Sequence, residues 1–423
     1  MIFKLIKQFS KILLILIAIV IFFFYLKFLF KPYCFKLGYT LCAAIGEDFF
    51  ALYQATYNFF HNIFIYGESA SINLVTPYFM IFKYFPISPL LIGWPFLIFF
   101  SGAESAYHGY LIFVILFYLF GFYSIYLIAK KFKTDNLTKV LTFFLWFTFF
   151  PILSDLRMGQ YNLISSLFFL FSLIFLIFSK NILSALSWIT SLLFKPIALL
   201  NFWYYLKTKN KIAIWGFIIC FIIFTTGYLL YHHLYYSPAI SNFIHTIFIG
   251  GNREGWEIHY PDNFSLNTFL GELFYDKSKI LFSLISKLYV VLLFLVFLVI
   301  SLKLKLKKEI KTDLYYSLYA FATMIMYHKE VWESWLSCWA VIVAILLILA
   351  DNYKEKIFLF LNGLILGTPS LFYFYELNHS NLWRFLLISE KSIPQLLIYS
   401  YLIYKICIII RQDFQLKAKN PAL

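Results

Sequence analysis

Long apolar runs alternate with short polar breaks rich in lysine along this chain. Runs such as IFVILFYLFGFYSIYLIA and VVLLFLVFLVIS approach the roughly 20 apolar residues that cross a hydrocarbon core as a helix, and none shows the period-two alternation of a strand. The pattern predicts an all-α, polytopic transmembrane helical bundle of about 11 to 13 spans. The spans fall roughly at 11–30, 107–129, 140–154, 161–179, 182–206, 212–231, 280–302, 314–327, 335–350, 357–375 and 394–410, with boundaries uncertain by a few residues. Residues 1–423 form one integral membrane domain, with no soluble part long enough to fold alone and no internal repeat. At the start, MIFKLIKQFSK runs into ILLILIAIVIFFFYL without a small-residue cleavage site, which reads as a retained signal anchor.

Lysine-rich loops orient the bundle, because short cytoplasmic loops carry an excess of Lys and Arg. Placing Lys4, Lys7 and Lys11, then Lys130 to Lys139, Lys207 to Lys211, the run KLKLKK, Lys354 and Lys356 in the cytosol leaves every second loop outside. The external segments are then 31–106, 155–160, 232–279, 328–334 and 376–392, and they hold most of the acidic residues. The first and third are long, and chemistry is expected on that face, with the N-terminus cytosolic. Two places strain this parity. PISPLLIGWPFLIFF, about 86–100, is short and proline-rich and fits only as a re-entrant or interfacial helix. ILSALSWITSLLFKPIALLNFWYYL fits only if it is hinged at Lys195 and Pro196.

Composition agrees with this reading. The chain is 62% hydrophobic and 23% aromatic, against about 45 to 50% apolar in soluble domains, and its mean hydropathy is +0.81. A net charge of +15 would suggest nucleic acid in a soluble protein, but here membrane topology accounts for it and no nucleic-acid partner is expected. The Phe, Ile and Lys bias suggests a prokaryotic cytoplasmic membrane. Cys220, Cys338 and Cys407 fall in spans, while Cys34 and Cys42 share an external loop in which pairing is open to them.

Five stretches hold candidate chemistry. Glu47 and Asp48 open GEDFFALYQATYNFF, where aromatic and polar residues mix at helical spacing as in an interfacial helix. A carboxylate there can accept a proton from a sugar hydroxyl, or it can simply cap the helix that follows. In DLRMGQYN, Arg157 offers a planar fork to phosphate oxygens and Gln160 and Asn162 offer hydrogen bonds; the alternative is a polar turn with Arg157 snorkelling to headgroups. Lys195, flanked by SLLF and PIALL, would cost about 2.5 to 3.5 kcal/mol in mid-membrane. It therefore needs a lipid phosphate, a buried acid or a path to the interface. YHKEVWESW brings His328, Lys329, Glu330 and Glu333 between two spans, with Trp332 and Trp335 as flat apolar faces. Farther back, Asn263 and Ser265 close the long loop that also holds Arg253, His259 and Asp262. No metal or nucleotide signature occurs, so no cofactor is expected, although clustered acids can hold a hard cation without a fixed motif.

Taken in order, DFFALYQAT, FKYFPISPLLIGWP, GQYNL, LLFKPIALL, DNFSLN and HKEVWESW resemble the polytopic GT-C glycosyltransferases, most closely glycosyltransferase family 87. Each motif is short, and their order over most of the chain carries the resemblance. It implies a polyprenyl-phosphate sugar donor, mannose in the characterised members, and a lipid-linked or glycan acceptor reached from among membrane lipids. It makes Asp48 the catalytic base of an inverting transfer; Glu47, Glu330 and Glu333 are expected as supporting acids from their own places in the external clusters, Glu47 tuning the site or capping its helix. Gln160, Asn162, Lys195, Asn263 and Ser265 match positions lining the donor or acceptor cavity, joined by Arg157, His328 and Lys329. The chain departs from the pattern where relatives carry a histidine pair: Ser334 and Trp335 follow Glu333 here. A flippase or exporter of a lipid-linked sugar would also want Lys195 and Arg157 near a phosphate. Transporters, however, show repeats and paired broken helices, and this chain has one broken segment and no repeat.

Overall fold

The structure, a computed structural model, describes residues 2–29, 45–66, 74–75, 82, 84–231, 238–243, 263–274, 278–304, 309–328, 331–370 and 381–419. Among these residues every regular element is helical. The helices are α1 (Ile2–Leu29), α2 (Glu47–Phe60), α3 (Trp94–Phe99), α4 (Ala103–Lys131), α5 (Asn136–Thr148), α6 (Phe150–Met158), α7 (Asn162–Ile177), α8 (Asn181–Phe194), α9 (Asn201–Thr208), α10 (Asn210–Leu230), α11 (Leu266–Phe274), α12 (Lys279–Lys303), α13 (Ile310–Tyr327), α14 (Ser337–Leu349), α15 (Tyr353–Gly367) and α16 (Asn381–Lys419). The chain is a polytopic bundle. Six segments are long and apolar enough to cross a membrane by themselves: Ser10–Lys27, Ala103–Lys131, Asn136–Met158, Asn210–Leu230, Lys279–Lys303 and Phe385–Gln412. Shorter apolar helices, among them α7, α8 and the stretch Glu333–Leu349, make up the interior.

Burial sorts the helices by composition. α14, SCWAVIVAILLIL, is apolar on every side and buried throughout, as expected of a central helix. It packs against α5, α7 and α15, and α7 packs on α8 and α4. By contrast α1, α10 and α12 present large exposed side chains such as Val20, Phe221, Leu229 and Ile280, the surface expected to meet lipid.

The lysine-rich breaks gather at one end of the bundle. Lys207 Nζ donates to the carbonyls of Ser301 and Leu304 at the end of α12 (2.6 and 3.2 Å). Lys209 pairs with Asp313 at 3.1 Å, Lys356 with Asp135, and Lys405 with Asp351 and Glu355 at 2.6 and 3.0 Å. These lysines hold the carboxyls of Asp135, Asp351 and Glu355 below the usual carboxylate range despite partial burial.

Two irregularities shape the opposite end. Pro89 and Pro95 bracket a π turn, Pro89–Gly93, that leads into α3. The stretch Pro89–Phe99 is too short to cross and folds back over α2, with Gly93 against Thr56, whose Oγ1 would lie 1.8 Å from any Cβ placed there. The second is the hinge. α8 stops at Phe194, Lys195 is extended (φ −151, ψ 140), and a single turn, Pro196–Ala198, precedes α9. Proline forces this, since it disfavours helical backbone in the residue before it. Ser88 Oγ, from the first irregular segment, donates to the Leu193 carbonyl at 3.2 Å and ties the two together.

Candidate active site

Two glycines bring the start of α2 against the end of α6. Gly46, the residue before α2, has φ +70, and Gly159, the residue after α6, has φ +66. Gly46 N donates to the Arg157 carbonyl at 2.8 Å, and Tyr107 Oη donates to the same oxygen at 2.8 Å. A Cβ on Gly159 would lie 2.7 Å from Phe49 Cβ and 3.3 Å from Gly46 Cα. Gly159→Ala is therefore expected to destabilise the fold by at least about 1 to 2 kcal/mol, the cost of left-handed backbone for an L-residue. Thermal unfolding in detergent would measure it, and an unchanged midpoint would show that the contact is dispensable.

That junction presents Asp48. Glu47 and Asp48 occupy the first turn of α2, whose capping position is Gly46, so neither is the cap itself. Tyr84 Oη donates to Asp48 Oδ1 at 2.5 Å, and Tyr161 Oη donates to the Asp48 carbonyl at 3.3 Å. The Tyr84 and Tyr161 rings meet edge to face at 4.5 Å. Beside Asp48, the half-buried Glu47 carboxyl is pushed above its ordinary value, first by burial and then by its charged neighbour.

Lys195 reaches the same place from the hinge. Its Nζ lies 5.9 Å from the Tyr84 ring centroid, 4.1 Å from that of Trp335 and 3.3 Å from Gln160 Oε1. Asn162 Nδ2 donates to that Gln160 oxygen at 2.8 Å. Ser165 Oγ donates to the Ser191 and Lys195 carbonyls at 2.9 and 3.3 Å and so fixes the hinge backbone. Trp335, in the short turn Glu333–Leu336, is buried, with its ring 4.1 Å from that of His328. The Trp335 ring thus contacts both the lysine and the histidine. A desolvated cation over an aromatic face gains about 2 kcal/mol, which offsets much of the cost of burying the ammonium.

His328 ends α13. Burial and the positive charge of Lys195 push its imidazole down to about 3. A histidine whose folded value is depressed opposes protonation, so stability is full above pH 6.5 or so and declines as pH falls from there toward about 3. His328 is expected to remain neutral between pH 5 and 8, and NMR of ring-labelled protein would check this. A midpoint near 6.5 would mean that the side chain is solvated.

Asp155 and Arg157 lie beneath this surface. Asp155 is fully buried, and its Oδ2 accepts from Leu163 N at 2.5 Å and from Ser337 Oγ at 3.0 Å, joining α6, α7 and α14. It is also within electrostatic reach of Lys195. Arg157 is only 3% exposed, which removes the snorkelling alternative. Glu333 is likewise buried, within electrostatic reach of Lys391.

Asn263 and Ser265 are buried one step away. Asn263 Oδ1 accepts from Val331 N (2.9 Å) and Ser265 N (3.1 Å), while Ser265 Oγ accepts from Thr268 N at 3.1 Å at the start of α11. Asn263 thus holds this segment against the loop that supplies Trp335, while Ser265 caps α11. Lys329 and Glu330 lie outside the described residues, as do Cys34, Cys42, Arg253, His259 and Asp262.

The family model of glycosyltransferase family 87 matches residues 84–327, more than half of the chain. The chain belongs to glycosyltransferase family 87. No curated protein matches it closely enough to be called a relative. The family-87 match contains Tyr84, Gln160, Asn162, Lys195, Asn263 and Ser265, whereas Asp48 precedes it and the His328–Leu336 loop follows it. Membership makes this integral membrane protein a glycosyltransferase, and the bundle is suited to lipid-linked substrates. Tyr84 and Tyr161 were missed as site residues by the sequence reading. Both lie in motifs that carry the resemblance, FKYFPISPLLIGWP and GQYNL.

Proposed function

We propose that this protein transfers a sugar, mannose or one like it, with inversion from a polyprenyl-phosphate donor to a lipid-linked or glycan acceptor. The reaction takes place at the external face of a prokaryotic cytoplasmic membrane. The observation that carries this reading is Tyr84, which hydrogen-bonds the Asp48 carboxylate and lies beside the Lys195 ammonium. A base and a phosphate-binding cation thus share one wall. The gathering of basic loops at the opposite end supports the orientation, since cytoplasmic loops carry the excess of lysine.

In the proposed step Asp48 takes the proton of the acceptor hydroxyl as its oxygen bonds to the anomeric carbon from the face opposite the phosphate. The bond from that carbon to the phosphate oxygen breaks, and the electron pair leaves on polyprenyl phosphate. A phosphate monoester with its second pKa near 6 needs no acid to depart at neutral pH. This agrees with a neutral His328, which then serves as a hydrogen-bond donor. Lys195 and Arg157 stabilise the departing charge, Gln160 and Asn162 bind hydroxyls, and Glu47 and Glu333 support the site electrostatically. Asn263 positions the loop carrying Trp335 and Ser265 caps the helix beside it, and Lys329 and Glu330 belong to that same loop.

With a protein cation beside the phosphate, we propose that transfer is metal-independent, so a chelator should leave it intact. A direct test incubates the purified protein with a panel of polyprenyl-phosphate sugars and lipid-extract acceptors and identifies products by mass spectrometry. Movement of labelled donor across vesicles with no new glycosidic product would replace this reading with a flippase.

A further inference from the structure

We propose that Tyr84 is a positioning residue that sets the basicity of Asp48 and fixes its carboxylate relative to Lys195. The inference rests on the reading of Asp48 as the base and adds to it the group that tunes that base. The phenol donates to Asp48 Oδ1 at 2.5 Å, while its ring meets Tyr161 at 4.5 Å on one side and lies 5.9 Å from Lys195 Nζ on another. Its own backbone is anchored, because Tyr66 Oη donates to the Tyr84 carbonyl at 2.7 Å and the Phe82 ring packs at 5.8 Å. A phenol clamped in this way has one direction in which to point its hydroxyl.

A hydrogen bond donated to a carboxylate favours the ionised form. Tyr84 is suited to donate at every working pH, because burial, the Asp48 charge and the bond itself push its own ionisation well above the ordinary tyrosine value. Other titratable groups within electrostatic reach of Asp48 are Glu47 beside it, Tyr110 from α4, Asp155 from α6 and Tyr161, with Tyr107, Arg157 and Lys195 on the neighbouring elements. Glu47 and Asp155 are acids and oppose ionisation of Asp48. Tyr84 counters them by donating to the carboxylate itself.

Loss of that donor should raise the proton affinity of Asp48, so that the base is protonated at higher pH. In Tyr84→Phe the acid limb of the pH profile of kcat/KM is expected to move up by about one pH unit, the size of a single charge-assisted bond. Replacing Tyr84 with 3-fluorotyrosine keeps the shape and sharpens the donor, so the limb should move down. Tyr66→Phe loses only the anchor to the backbone, and should lower the rate without moving the limb.

The profiles are read on the full-length protein in lipid nanodiscs with polyprenyl-phosphate mannose and lipid-extract acceptor. Opposite shifts for phenylalanine and fluorotyrosine support the proposal. An unmoved limb in both overturns it, as does an equal shift in Tyr66→Phe. Asp48→Asn is run alongside: if it retains transfer, the base assignment fails; if it is inactive while the Tyr84 limbs stay put, only the role of Tyr84 fails.

Discussion

Asp48→Asn is expected to lower transfer by about 100- to 10,000-fold, the range contributed by a positioned general base, with little effect on expression or thermal stability. Asparagine is nearly isosteric, and its amide can meet the Tyr84 hydroxyl that now donates to Oδ1 at 2.5 Å. The packing between α2 and α6 rests on the close approach of Gly46, Gly159 and Phe49. A fall in rate without a fall in stability therefore separates the chemical role from a structural one. Radiolabelled sugar transfer in a membrane preparation measures the first and unfolding of the purified variant the second. Near wild-type transfer would remove Asp48 from the mechanism.

Lys195→Met should cost about 100- to 1,000-fold, comparable to loss of one preorganised electrostatic contact at a developing anion. Methionine keeps much of the stem and can lie on the Trp335 ring, so the hinge should survive. The charge 4.1 Å from that ring and its hydrogen bond to Gln160 are removed. Lys195→Arg should restore only part of the activity, because a planar fork cannot occupy the point position between Trp335 and Gln160 Oε1. Activity equal to wild type in Lys195→Met would mean that the ammonium serves folding alone, paired with the buried Asp155.

Much of this architecture is legible in the sequence where the cause is local. The hinge is announced by a lysine and proline inside an apolar run, since one residue resists burial and the other resists a helix. The fold-back of 89–99 follows from its length and prolines, and the gathering of basic loops from charge alone. The site is less legible, because its contacts join residues far apart in sequence. Tyr84 is one of 33 tyrosines, and nothing beside it indicates that its hydroxyl meets a carboxylate 36 residues earlier. The lysine on Trp335 and the depressed ionisation of His328 are products of packing in the same way. Asn263 and Ser265 illustrate the converse. Their motif marks the right neighbourhood, yet both side chains bond to nearby backbone and a short run of polar residues does not reveal that.

Helix ends of both signs meet at the junction of α2, α6 and the hinge. Asp48 rides in the first turn of α2, where unpaired amides leave a partial positive charge, and Lys195 follows the last turn of α8, where unpaired carbonyls leave a partial negative one. Arg157 stands in the last turn of α6. Asp48 and the two cations are thus each set at a helix end of opposite sign. The backbone itself therefore polarises this junction, independently of the side chains that it carries.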